Sequence, residues 1–173
     1  ENHLVFGVKR DVTTEHEGEV STILHDEISE GDMINLSAPV GGFSIENTER
    51  PQLFIGSGVG MTPLVSMFKK AASLNVPTQM IQAVVTEDER PFAQKLDSIT
   101  ANHEQAQLHL HVKDKEGYLE AKELEQYLSE QPEIYICGGT KFLHSIINSL
   151  KELNYDMNHV HFETFIPRLS VQV

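Results

Sequence analysis

The most informative stretch of the chain is Leu53-Phe-Ile-Gly-Ser-Gly-Val-Gly-Met-Thr-Pro-Leu-Val-Ser-Met-Phe68, where a short apolar run ends in three glycines at alternate positions. Apolar residues then recur at helical spacing, so the pattern predicts a strand, a tight turn and a helix. Glycine lets the backbone approach a ligand closely, and Pro63 suits the first turn of a helix. Because free N–H groups at a helix N-terminus attract anions, the turn predicts a site for the pyrophosphate of a dinucleotide.

The glycine spacing departs from the common dinucleotide fingerprint, G-x-G-x-x-G, because Met61 stands where the third glycine belongs. No Gly-Lys-Ser/Thr follows, so the turn is not a P-loop, and a plain strand-to-helix turn is the alternative. A second glycine-containing turn between a strand and a helix is predicted in Ile134-Tyr-Ile-Cys-Gly-Gly-Thr-Lys-Phe142. Two such turns at the carboxyl ends of parallel strands face one crevice. Cys137 then lies at the lip of that crevice or, alternatively, is a buried structural cysteine.

Strands and helices alternate after residue 52, which predicts an α/β fold with a mostly parallel sheet covered on both faces. The expected strands are 53–55, 80–85, 108–112, 134–137 and 160–162, and the expected helices are 62–74, 92–100, 121–128 and 141–153. Before residue 47 the pattern predicts strands at 3–10 and 33–36, with helical spacing at 21–28. The polar run from Asn47 to Pro51 is the predicted domain boundary.

The composition of the chain excludes several classes of partner and cofactor. A formal charge of −13 in 173 residues argues against nucleic-acid and anionic-membrane partners, which need basic surface. The single cysteine excludes a disulfide and a cysteine-ligated iron–sulfur cluster within this chain, and it fits a cytoplasmic location. Residues 1–10 are strand-like from the outset, so we expect a chain truncated at its N-terminus.

Two histidine pairs, His109-x-His111 and His159-x-His161, place both rings of a pair on one face of a strand. Each is half of a possible metal site, but no acid or cysteine completes it at a recognisable spacing. We therefore predict no metal site.

Several segments together resemble the ferredoxin-reductase-like flavin reductases, and most closely the reductase half of bacterial flavohemoproteins, the nitric oxide dioxygenases. The segments occur in the order of that family and cover nearly the whole chain; they are Gly18-Glu-Val-Ser-Thr-Ile-Leu-His25, Gly31-Asp32, Ser37-Ala-Pro-Val-Gly-Gly-Phe43, Gly58-Val-Gly-Met-Thr-Pro63, Ile136-Cys-Gly-Gly139 and His161-Phe-Glu-Thr-Phe-Ile-Pro167. The glycine turn that departs from the common fingerprint matches the version found in this family.

The resemblance implies a ferredoxin-reductase-like NAD(P)-binding domain over residues 48–173. Before it, residues 1–47 would form the C-terminal part of an antiparallel FAD-binding β-barrel. Implied FAD contacts are Gly18, Val20, Ser21, Thr164, Phe165, Ile166 and Pro167. Implied contacts to the nicotinamide dinucleotide are Gly58, Val59, Gly60, Met61, Thr62, Pro63, Cys137, Gly138 and Gly139. Glu163 near the flavin and Cys137 near the nicotinamide are the implied catalytic residues.

The implied activity is hydride transfer from NADH to FAD. Electrons then pass to heme in an attached globin domain, for dioxygenation of nitric oxide to nitrate. The family motif Arg-x-Tyr-Ser/Thr, which holds the flavin, does not occur, so we expect weak flavin binding. Three acids in Thr86-Glu-Asp-Glu-Arg90 would repel a 2′-phosphate, which predicts NADH rather than NADPH, although Arg90 could reach a phosphate.

Three alternatives remain. The chain could be the flavin-reductase module of another oxygenase or electron-transfer system. It could instead be a nucleotide-binding fragment without catalysis, or a regulatory module with no affinity for nucleotides.

Overall fold

The computed structural model describes residues 4–12, 18–38 and 40–164, and the chain divides into two compact units, Glu1–Gly42 and Phe43–Val173. The division falls five residues before the predicted boundary at residue 47. The reason is tertiary packing, because the side chains of Phe43 and Ile45 pack against the core of the second unit. The backbone N–H of Glu46 also donates to the hydroxyl of Tyr135 at 3.0 Å.

The second unit is built on a parallel sheet of five strands among the described residues. The strands are β1 (Gln52–Ser57), β2 (Thr78–Val84), β3 (Ala106–Val112), β4 (Glu133–Gly138) and β5 (Val160–Thr164), in the spatial order β3-β2-β1-β4-β5. Each neighbouring pair is parallel, as in the pairing of Ile55 with Ile81 on one side and Ile136 on the other. The predicted parallel sheet is confirmed.

Helices cover both faces of this sheet, which buries the apolar strands on two sides. They are α2 (Met61–Ser73), α3 (Ala93–Asn102), α4 (Lys113–Glu116), α5 (Ala121–Leu124) and α6 (Thr140–Glu152). Phe54 and Tyr135 point into a core shared with α2 and α3, whereas Ile55 and Ile136 point into a core shared with α5 and α6. The alternation of strand residues between two cores explains why the strands read as continuous apolar runs.

The strand order reverses direction between β1 and β4. From β1 the chain proceeds outward to β2 and β3, and it then returns to form β4 and β5 on the other side. In open α/β sheets a reversal of this kind leaves a crevice at the carboxyl ends of the two central strands, where ligands bind.

The first unit contains helix α1 (Glu19–Asp26), which overlaps the helical spacing predicted at 21–28 and begins and ends two residues earlier. The strands predicted at 3–10 and 33–36 are wrong over the residues that the structure describes, since no strand forms at 4–10 or 33–36. A strand needs a neighbour to satisfy its backbone and bury one face. Here Leu4 is 65% exposed and Met33 is 98% exposed, so among the described residues neither segment buries one face as a paired strand does.

Candidate functional site

Two glycine turns meet at the reversal point of the sheet. Gly58–Gly60 form a single 3-10 turn between β1 and α2, and Gly138 and Gly139 join β4 to α6. A Cβ atom on Gly60 would lie 2.6 Å from the backbone nitrogen of Gly138 and closer still to the carbonyl of Cys137. Only glycine permits this approach, so the two turns lie against each other at the carboxyl ends of β1 and β4, as the sequence predicts, and the ligand crevice between them stays a prediction.

The turns leave open space beside their backbones. Gly58 adopts a positive φ of 55°, and a Cβ atom there would meet no heavy atom within 4 Å among the residues that the structure describes. Gly139 has an ordinary φ of −67° and is also open on its Cβ side. A ligand can therefore approach both backbones directly, as a pyrophosphate requires.

Helices α2 and α6 both begin at this crevice without a side-chain cap. Their N-cap residues are Gly60 and Gly139, and glycine has no side chain that could cap a helix. In α6 the N–H groups of the first turn keep their hydrogen-bonding capacity, and the dipole of this 13-residue helix favours an anion. In α2 the N–H of Met61 already donates to the carbonyls of Gly58 and Val59, and Pro63 has no N–H, so this helix contributes mainly its dipole. The backbone chemistry fits a dinucleotide.

The other residues predicted in the first turn support its shape. The hydroxyl of Thr62 donates to the carbonyl of Val59 at 2.8 Å. Met61 is fully buried in the core beside α2, so its side chain packs inward, away from solvent. Pro63 lies in the first turn of α2, where a missing N–H costs no intrahelical bond.

Cys137 faces the core instead of the crevice. The residue is fully buried and belongs to the cluster formed with α2. Burial raises the pKa of the Cys137 thiol to about 12, and the carboxylate of Glu163 acts in the same direction. The thiol is therefore protonated at neutral pH. Its catalytic role stays a prediction, and burial argues against it.

Glu163 and Thr164 end the edge strand β5, next to the second glycine turn. Glu163 pairs in register with Cys137 and is exposed, while Thr164 pairs with Gly138. The hydroxyl oxygen of Thr164 is buried and has no hydrogen-bond partner in the described part of the chain. The remaining predicted flavin contacts, Phe165, Ile166 and Pro167, lie outside the described residues.

The predicted flavin contacts of the first unit lie at the N-terminus of α1. Gly18 is the N-cap residue, and Val20 is 70% exposed. The hydroxyl of Ser21 donates to the carbonyl of Gly18 at 2.9 Å and accepts from the N–H of Asp11 at 3.1 Å. Local bonds already use this hydroxyl, so its described role is to fix the helix start.

A cavity of about 90 Å³ opens at the carboxyl ends of β1, β2 and β3, and sequence reasoning did not find it. Its lining includes Ser57, the buried ring of His111, and Tyr118. The ammonium group of Lys113 lies 4.6 Å from the centre of the Tyr118 ring. The one available signal was Gly117, which follows β3 as the other glycines follow β1 and β4.

The acidic loop after β2 is partly neutralised by local partners. Glu87 pairs with Lys115, and the bond from Lys115 lowers the pKa of Glu87 and raises that of Lys115. Arg90 donates to Asp97 at 3.0 Å, so its charge is directed at the N-terminal half of α3. Asp88 and Glu89 remain exposed.

The histidine pairs have structural partners. His159 Nδ1 lies 2.8 Å and His161 Nε2 lies 2.9 Å from the two carboxylate oxygens of Glu133, which is buried at the start of β4. His109 bonds to Gln79 and His111 to the carbonyl of Gly117. Among the described residues, no group of three or more histidine, cysteine or acidic side chains is arranged to hold a metal ion.

Within the residues described, no helix combines the length and apolar character needed to span a membrane.

Comparison with known proteins identifies relatives of this arrangement. Residues 54–147 match the family described as "Oxidoreductase NAD-binding domain". A flavohemoprotein of Bacillus cereus is 30% identical, over 90% of this chain and 43% of its own length. The chain thus spans less than half of that relative.

Solved structures agree with this match. The flavohem-like FAD/NAD-binding domain of nitric oxide dioxygenase from Vibrio cholerae superposes with a TM-score of 0.83 at 28% identity, over 92% of this chain and 70% of that one. A flavohemoglobin from Malassezia yamatoensis, solved with FAD and heme, has a TM-score of 0.72 at 19% identity, over 86% of this chain and 41% of that one, and shows the fold alone. The family match covers more than half of this chain, and the chain belongs to the oxidoreductase NAD-binding domain family.

Proposed function

We propose that the chain is the NADH-dependent flavin-reductase portion of a flavohemoprotein. The observation that carries the proposal is the contact between the two glycine turns, where backbone of Gly60 lies against Cys137 and Gly138 at the reversal point of the sheet. The flavohemoprotein relatives and the superposed FAD/NAD-binding domain support the same assignment.

In this proposal the second unit holds the nicotinamide dinucleotide. The open backbones at Gly58 and Gly139 would admit the pyrophosphate, the first turn of α6 would supply N–H donors to it, and the dipole of α2 would add a favourable field. When bound, NADH supplies a hydride and FAD accepts it. Glu163 and Thr164 lie at the carboxyl ends of the strands, the same end of the sheet as both glycine turns. This position suits contact with the flavin.

The proposed electron acceptor and physiological role rest on the similarity to flavohemoproteins. A flavohemoprotein match and a nitric oxide dioxygenase domain favour electron delivery to heme in an attached globin domain, and hence nitric oxide detoxification. Residues up to 42 would then contribute to the FAD site through Gly18 and Ser21. A cytoplasmic location follows from the same assignment.

We further propose NADH as the preferred donor. Asp88 and Glu89 stay exposed after β2, and Arg90 is engaged by Asp97, so the loop offers negative charge where a 2′-phosphate would lie. Lys113 lines the nearby cavity at the carboxyl ends of β1, β2 and β3, and its positive charge would instead favour a 2′-phosphate. The test is to measure the dissociation constants of NADPH and NADH. A constant for NADPH well above that for NADH supports the proposal, and equal constants would contradict it.

A second candidate is nucleotide binding without turnover. The described residues 4–10 and 33–36 form no barrel strands, and local bonds already use the hydroxyl of Ser21. Both observations favour a nucleotide unit whose flavin site is incomplete.

Visible absorbance separates the two candidates. The purified chain is mixed with FAD, freed of unbound flavin, and then given NADH under anaerobic conditions. Retained flavin that bleaches with NADH supports the reductase. Loss of all flavin, with NADH still binding by calorimetry, supports nucleotide binding alone, and failure of both ligands to bind removes both candidates.

A further inference from the structure

A second concave site lies on the outer side of α2, within the second unit. The segment from Phe43 to Thr48 and the exposed face of α2 enclose a groove of about 430 Å³. Ligand sites in proteins typically measure ~300–1,000 Å³ and are mostly apolar. None of the residues lining this groove belongs to the glycine turns, so it is distinct from the proposed nucleotide site.

The walls of this α2 groove are held by fixed contacts. The ring of Phe43 packs edge-on against Tyr135 with centroids 6.1 Å apart, and the N–H of Glu46 donates to the Tyr135 hydroxyl. The buried amide of Gln52 donates to the carbonyls of Asn47 and Arg50. These bonds hold one wall in place, so a ligand need not order the segment when it binds.

The lining is apolar along its length and carries one charge. Phe43 and Ile45 lie on one wall and Met67 and Leu74 on the other, and Leu74 is 47% exposed. Ser44, Thr48 and Ser66 add hydroxyl groups. Lys70 is the one ionisable residue among the described residues that line the groove, although the chain has 26 acids and 13 bases.

We propose that the α2 groove binds a medium-chain carboxylate. The alkyl chain would lie between Ile45 and Met67, where contact with four apolar side chains removes it from water. The carboxylate would pair with the ammonium of Lys70, and the groove hydroxyls would donate to its second oxygen. A cationic amphiphile is excluded from the same place by the charge of Lys70.

Octanoate titrated into the ¹⁵N-labelled chain tests this proposal. Amide signals of residues 43–48 and of the outer face of α2 are expected to shift, with the same dissociation constant in the presence of saturating NADH. Shifts confined to the glycine turns, or competition with NADH, would overturn the proposal. This outcome is independent of whether NADH binding itself is observed, because the groove contains no residue of that site.

Matched variants separate the charge from the apolar contacts. Lys70→Gln is expected to weaken octanoate about fivefold, since an exposed ion pair is worth up to ~1 kcal/mol, and to leave octanol unaffected. Leu74→Gln should weaken both ligands, whereas Lys151→Gln, an exposed lysine in the last turn of α6, should change neither. Equal octanoate affinity in Lys70→Gln and Lys151→Gln would contradict the proposal. So would self-association that buries the groove against a second copy.

Discussion

At the scale of single residues, Cys137 illustrates how position in a motif and position in the fold differ. Its place before two glycines predicts a residue at the lip of the crevice. The alternation of side chains along β4 turns it inward with Tyr135, into the core beside α2. Sequence alone could not decide between these positions, because the direction of a strand's faces depends on which helices cover them.

The single thiol of the chain gives a direct test of this burial. Because burial raises the pKa of Cys137 to about 12, a disulfide reagent at pH 8 should leave the folded chain unlabelled. After unfolding in guanidinium chloride, one thiol per chain should react. Rapid labelling of the folded chain would show that the thiol is accessible and would restore its catalytic candidacy.

Two glycines of the crevice should respond differently to alanine. Gly60→Ala places a methyl group against the backbone of Cys137 and Gly138, so we expect it to destabilise the fold by about 2 kcal/mol or more and to abolish NADH binding. Gly139→Ala places its methyl group where no atom of the described residues lies within 4 Å and keeps an allowed φ, so stability should stay within about 0.5 kcal/mol.

Denaturant unfolding and NADH titration of the two variants form a matched pair. In the proposed site the methyl group of Gly139→Ala faces the ligand, so NADH affinity should fall although the fold is intact. Unchanged NADH affinity in Gly139→Ala would mean that the second turn does not contact the nucleotide.

At the scale of elements, the edge strand β5 depends on polar bonds as well as on its ladder. His159 directly precedes β5 and His161 lies within it, and both bond to the buried carboxylate of Glu133 at the start of β4. The ring of His161 also stacks on Tyr135 with centroids 4.7 Å apart. These bonds link the start of β4 to β5, the strand that carries Glu163.

Removing the charge of Glu133 should therefore weaken the fold in a pH-dependent way. Burial alone would raise the pKa of Glu133, but the hydrogen bonds from His161 and His159 outweigh it and hold the pKa below its ordinary value of 4.5. A lowered folded pKa contributes stability above the unfolded value, and that contribution is lost as pH falls through the folded value.

We expect Glu133→Gln to cost about 1–3 kcal/mol at pH 7, with a smaller deficit at pH values below 4.5. Urea unfolding at several pH values measures this, and Glu130→Gln, an exposed neighbour, is the control. A deficit that is constant with pH would assign the effect to packing and not to the charge.

Local sequence predicts elements well where neighbours along the chain define them. The strand–turn–helix around Gly58 and Pro63 is predicted because the apolar period, the glycines and the proline all lie within one short stretch. Over the residues that the structure describes, the strands predicted at 3–10 and 33–36 do not form, because a strand needs a partner and an alternating pattern alone supplies none. The second compact unit already includes Phe43 because the contact of Phe43 with Tyr135 spans 92 residues of sequence, which no local pattern records.

At the scale of the whole molecule, parallel topology brings distant segments to one edge of the sheet. The two glycine turns are about eighty residues apart in sequence and touch only because β1 and β4 pair side by side. That pairing was predictable from the βα alternation and the rule for open α/β sheets. The cavity at His111 and Tyr118 was not, since it arises from three strands whose ends carry no common motif.

Calorimetric titration of the chain with NADH, without added flavin, tests the central claim most directly. We predict one NADH bound per chain, with binding lost in Gly60→Ala and weakened in Gly139→Ala. An absence of NADH binding to the folded, unmodified chain would contradict the assignment of the crevice as a nucleotide site.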